Sequence, residues 1–126
     1  MTFNPAQPFT LTAVTSGGVG GKGTFVKVQR KGMDYFVTSN VRPDNPPILV
    51  SKKNAAVLEM VLKNTHFLSL PTDDGSAGYD LSIWSITLVQ ANAEWRLSIR
   101  TDRVTHSPFG GLYAALNTIV AELAGV

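Results

Sequence analysis

The stretch LSIWSITLVQANAEWRLSIRTDR, residues 81–103, decides the fold. Its two arms, Leu81 to Gln90 and Glu94 to Arg103, alternate apolar with polar residues, the period of a half-buried strand. If Ala91-Asn92 closes a two-residue turn, Leu88 faces Trp95, Ile86 faces Leu97 and Trp84 faces Ile99. All six are large and apolar. The opposite face then pairs Thr87 with Arg96, Ser85 with Ser98 and Ile83 with Arg100. A slip of one residue would mix the two sets, so the sequence specifies a hairpin with one core face and one wet face.

Downstream, Ser107-Pro108 supplies an N-cap followed by proline at the first helical position. Leu112, Ala115, Leu116, Ile119, Val120 and Leu123 then form one helical stripe that ends at Gly125. Upstream, Ser51 caps a helix over about Lys52 to Asn64, with Val57, Leu58, Val61 and Leu62 as its buried stripe and Thr65 continuing it. Phe67, Leu68 and Leu70 pack its exit before Pro71, and Thr72 to Asp80 is a polar, glycine-rich loop. Nearer the N-terminus, Phe9–Val14, Thr24–Arg30 and Asp34–Thr38 read as strands. The glycine-rich Ser16 to Gly23 joins the first two, and Lys31-Gly32 turns into the third. Arg42 to Pro47 is a rigid loop, because its three prolines exclude both helix and central strand. Ile48-Leu49-Val50 leads into the first helix. The predicted order is βββ-α-ββ-α: an α+β domain with an antiparallel sheet of about five strands and two helices on one face. A chain of 126 residues is one domain, 1–126, with 1–8 as an extended lead punctuated by Pro5 and Pro8.

Apolar residues make up 44% of the chain and mean hydropathy is +0.07, enough to bury a core and to exclude disorder. No apolar run approaches the ~18 residues of a membrane-spanning helix. Met1-Thr2-Phe3-Asn4-Pro5 lacks the basic start and apolar stretch of a signal peptide. With no cysteine there is no thiolate nucleophile or disulfide, and a cytoplasmic location fits. Charged residues are only 16% against about 25% in an average domain. They are unevenly spread, with a basic excess over residues 1–53 and an acidic excess over 54–126. That dipolar layout suits docking or self-association as well as an ordinary solvated surface.

Gly18-Val19-Gly20-Gly21-Lys22-Gly23 matches G-x-G-x-x-G after a strand. A dinucleotide loop must open a helix whose N-terminal amides hold the pyrophosphate, yet Thr24 onward reads as a strand. Gly23 also stands where a P-loop needs Ser or Thr. The plainer reading is a hairpin loop whose glycines permit positive φ, free to present backbone to a partner. Asp73, Asp74 and Asp80 lack calcium-loop spacing and read as a solvated acidic turn. His66 and His106 have no Glu or His at i+3 or i+4, so no metal site is expected, and His66 reads as a cap on the first helix. No nucleophile elbow or triad is present, and Ser107 has its use as a cap. No cofactor and no catalysis are expected. The wet face of the sheet offers Lys27, Arg96 and Arg100, with Lys31 and Arg103 nearby and Tyr35 and Phe25 as aromatic platforms. A basic β-face with aromatics suits single-stranded nucleic acid, although a solvated face is the plainer reading.

Ser16-Gly17-Gly18 with Gly20-Gly21 after the first strand, the helix running into Phe67-Leu68-Ser69-Leu70-Pro71, and the strand Asp80-Leu81-Ser82-Ile83-Trp84-Ser85-Ile86 follow one another in an order that resembles the emfourin-like group of small bacterial proteins. The pattern spans about residues 11–123, and the three-proline tract Asn40 to Pro47 departs from it. The resemblance implies a compact, non-enzymatic domain that binds a protein, in that group a thermolysin-like metalloprotease. The expected function is thus a cytosolic protein-binding module, with protease inhibition as one form. Its candidate contacts are Gly17, Gly18, Gly20, Gly21, Lys22, Arg42, Asp44 and Asn45. The alternative is nucleic-acid binding through Lys27, Arg96 and Arg100.

Overall fold

Among the described residues alternation of apolar and polar residues builds five strands, a two-residue sixth joins their edge, and every strand pairing is antiparallel. The computed structural model of the chain describes residue 4 and residues 6–17, 24–40, 47–64, 82–101 and 109–124. The elements are β1 (Phe9–Gly17), β2 (Thr24–Lys31), β3 (Asp34–Ser39), β4 (Ile48–Leu49), α1 (Lys52–Asn64), β5 (Ser82–Gln90), β6 (Ala93–Arg100) and α2 (Gly110–Ala124). Their order in the sheet is β4-β3-β2-β1-β5-β6. Thus β1 is central, and it joins the N-terminal strands to the last hairpin.

One apolar rung crosses the whole sheet: Ile48, Val37, Val28, Leu11, Leu88 and Trp95, each opposite the next. Val28, Leu11 and Leu88 have no exposed surface at all. Leu58 and Leu62 of α1 and Leu112, Leu116, Ile119 and Leu123 of α2 join these strand residues in a single core. The two helices therefore cover one face. Trp84 packs edge-on against Tyr113 of α2, with centroids 5.4 Å apart. Gly111 lies against Val61, while Glu122 bonds to Ser51, so the two helices run antiparallel. Ser51 caps α1 through Asn54 N at 3.3 Å, and the Glu122 carboxylate accepts from Ser51 N, Ser51 Oγ and the Asn54 amide. A negative group at that helix start also meets the positive end of its dipole.

The hairpin register is the expected one, from Ile83 opposite Arg100 to Leu88 opposite Trp95, with Gln90 and Ala93 closing the turn. Three expectations need correction. The sheet has six strands, not about five, because Ile48 and Leu49 pair with Val37 and Phe36. Two residues between prolines and a helix cap are too short to show alternation. Val57 is 39% exposed and falls outside the buried stripe of α1, which runs through Leu58 and Leu62. Tyr35 is not an aromatic platform on the wet face: it is buried on the helix side, 6.0 Å from the Phe9 ring. The expected Ser107-Pro108 cap, the Phe67–Pro71 exit, the acidic turn at Asp73, Asp74 and Asp80, Thr65, Arg103, Gly125 and both histidines lie outside the described residues.

Two outcomes test this frame. Acrylamide should quench the fluorescence of Trp84 and Trp95 weakly in the native protein and strongly after denaturation, and Trp84→Ala should cost about 3–5 kcal/mol in denaturant unfolding. Ala91 has φ of 51°, in the left-handed region that disfavours a Cβ. Ala91→Gly should therefore raise stability by about 1 kcal/mol, and a loss of stability instead would mean that the turn carries no such strain.

Candidate functional site

Antiparallel order decides where the connections emerge. The strand ends Gly17 and Thr24, and then Asn40, Ser82 and Arg100, all lie toward one end of the sheet, as the pairs Thr15 with Thr24, Gly17 with Ser82 and Ile83 with Arg100 require. Asn40 belongs with them, for its side-chain oxygen accepts from Phe25 N at 3.0 Å. The chain therefore leaves the sheet for segments 18–23, 41–46 and 102–108, and enters it from 65–81, at this loop end. Gly17 is the last residue of β1, opposite Ser82. Gly18, Gly20, Gly21, Lys22, Arg42, Asp44 and Asn45 lie outside the described residues, in two of the segments that this end anchors.

The opposite end is tied down tightly. There β2 turns into β3 through Gly32 and Met33, where Gly32 has φ of 64°, and β5 turns into β6 through Ala91 and Asn92. The Gln90 amide clamps the N-terminal lead: its Oε1 accepts from Asn4 N at 2.9 Å and its Nε2 donates to Asn4 O at 2.6 Å. A cleft of about 330 Å3 opens beside it, between Pro8, Gln29, Lys31 and Val89. Arg30 lies at this end, only 6% exposed. Its guanidinium donates to the Tyr35 hydroxyl at 2.6 Å and to Glu59 of α1 at 3.1 Å, and its Nε donates to Gly32 O at 3.0 Å. Burial opposes the charge, but the hydrogen bond to Glu59 and the contact with Tyr35 outweigh it and hold the Arg30 pKa above its usual value. Burial pushes the Tyr35 phenol up, and the neighbouring Arg30 cation partly offsets that.

The third surface is the sheet face away from the helices. No described element covers it. Lys27 and Arg96 stand on a single rung, Thr38-Lys27-Thr12-Thr87-Arg96, and Arg100 is on the same face opposite Ile83. Arg96 pairs with Glu94 at 3.0 Å, and both are well exposed. Phe25 and Phe36 share this face, and the Lys31 ammonium sits 5.9 Å from the Phe36 ring centroid.

The three residues expected on a wet basic face are thus brought onto one face, and Phe36 joins Phe25 there. Arg30, Glu59 and Gln90 were not singled out from the sequence, and Tyr35 was expected on the opposite face. A signal for Arg30 was present, since Val26-x-Val28-x-Arg30 puts it in phase with the buried valines. Among the described residues no group of three or more His, Cys, Asp or Glu stands where it could hold a metal ion, and no helix is long and apolar enough to cross a membrane. No protein-family model matches the chain, and neither a curated protein nor a solved structure matches it.

The buried tyrosine sets an alkaline limit on stability. A phenol whose folded pKa is raised contributes stability that is fully present below the unfolded value of about 10 and is lost as pH rises through the folded one. The phenolate absorbance that Tyr35→Phe removes should therefore appear above the ordinary tyrosine range, and Arg30→Met should move it higher still. Titration of Tyr35 at its ordinary value would contradict its burial.

Proposed function

We propose that this chain is a non-enzymatic, cytoplasmic protein-binding module that presents its inter-strand loops from one end of a rigid sheet. The observation that carries this reading is the gathering of strand ends Gly17, Thr24, Asn40, Ser82 and Arg100 at a single end. Loops on a stiff scaffold are the usual carriers of recognition, because they vary in shape without disturbing the core. The contacts on this reading are Gly17, Gly18, Gly20, Gly21 and Lys22 from one loop and Arg42, Asp44 and Asn45 from another. The resemblance to the emfourin-like group adds one form of it, inhibition of a thermolysin-like protease.

The second reading uses a different surface. Lys27, Arg96 and Arg100 on the open sheet face support nucleic-acid binding there, with the loop end left unengaged.

Capture of a partner from native cell extract, at two salt concentrations, separates the two. Deletion of Gly20 and Gly21 should release a protein held by the loops, whereas Lys27, Arg96 and Arg100 all changed to Glu should leave it in place. A shape-based contact should also weaken little with salt, unlike a charge-driven one. Partner retained by the loop deletion and lost by the charge reversal would show that the wrong surface was chosen. A thermolysin-like protease assayed with wild-type and loop-deleted protein tests the inhibitor form. Inhibition should be present with the first and absent with the second.

A further inference from the structure

Among the described residues the open face carries Lys27, Lys31, Arg96 and Arg100 against Asp34 and Glu94, a positive excess. Two aromatic side chains stand on this face beside the aliphatic Val14, Leu49, Ile83 and Val89, and their spacing is informative. Phe36 on β3 lies opposite Gln29, four residues along β2 from Phe25. Strand rise and strand separation place the two rings about 14 Å apart on a diagonal. Lys27 projects from the same face between them. The middle rung, Thr38-Lys27-Thr12-Thr87-Arg96, has hydroxyl groups and cations and no carboxylate.

We infer that this face binds single-stranded nucleic acid, with bases stacked on Phe25 and Phe36 and the intervening phosphate held at Lys27. The inference rests on the second reading above, nucleic acid on the open face, and adds the pair of base-stacking rings and the phosphate contact between them. An extended single strand crosses the gap between the rings in about two or three nucleotides, so both rings can be used by one strand while its backbone passes Lys27. A duplex keeps its bases stacked inside and offers neither ring a partner. The threonine hydroxyls of the middle rung donate to phosphate or base edges without the desolvation that a second charged row would impose. An acidic protein segment would meet the same cations, but it would gain nothing specific from two rings spaced for bases.

The probe is a fluorescently labelled oligothymidine of about 15 nucleotides, with the oligothymidine–oligoadenine duplex of equal length as its counterpart. Fluorescence anisotropy at low salt should show the single strand bound at least about ten-fold more tightly than the duplex. Phe25→Leu and Phe36→Leu keep apolar bulk but remove the stacking ring, and each should weaken single-strand binding about ten-fold with little effect on duplex. Lys27→Gln should weaken both and lower the salt slope by about one. Thermal unfolding shows whether each variant remains folded, and Phe25→Trp supplies an independent readout, since bound bases should quench the new indole. Equal binding of single strand and duplex, unaffected by the two leucine variants, would overturn this inference and leave nucleic-acid binding on the face intact. Absence of binding to either probe at low salt overturns both. Displacement of the oligonucleotide by polyglutamate as effectively as by unlabelled oligothymidine also overturns the inference, in favour of an acidic protein segment.

Discussion

Everything else in the fold depends on β1 lying between β2 and β5. Leu11 sits between Val28 and Leu88 with no exposed surface, and through it the N-terminal strands and the C-terminal hairpin share one rung. A hairpin alone is marginal in water, and β5–β6 is a hairpin. Pairing with β1 turns it into one edge of a six-stranded sheet wide enough for two helices. The contact is far from local, since Thr10 meets Val89 across most of the chain. Loop closure of that length costs only slowly more than a short one, so burial of the shared rung can outweigh it.

Polar contacts hold the turn end of the sheet. At the turn end, Gly32, Ala91, the Gln90 clamp on Asn4 and the Arg30–Tyr35–Glu59 cluster leave little freedom. Arg30 is a charge taken out of water, and such a group is a weak source of stability, though costly to orphan once it is paired. Its bonds tie β2, β3 and α1 together at one point, so its contribution lies in alignment. At the start of α1, Glu122 of α2 fixes Ser51 and Asn54 in a similar way.

On the two proposed readings the loop end and the sheet face would call on different physics: loop contacts select by shape and depend weakly on salt, while a charged rung such as Lys27–Arg96 is screened within about 10 Å at ordinary ionic strength.

The sequence by itself determined what is local. The β5–β6 register follows from six large apolar residues and a two-residue turn, and the cap of α1 and the stripe of α2 follow from spacing within a dozen positions. It also placed Lys27, Arg96 and Arg100 on a wet face, because alternation along a strand leaves no other choice. Only the tertiary structure decided the rest. Strand order puts β1 in the centre, an outcome that no single strand's pattern encodes. β4 exists because β3 offers an edge to Ile48 and Leu49, not because two residues prefer extended backbone. Val57 is exposed because the core takes Leu58 and Leu62 from a wider apolar stripe. Tyr35 is buried with its hydroxyl accepting from Arg30, whose guanidinium also holds Glu59 of α1, a meeting of residues distant in sequence. Local periodicity fixes which residues share a side of an element, while the choice of neighbour for that side is made by long-range packing.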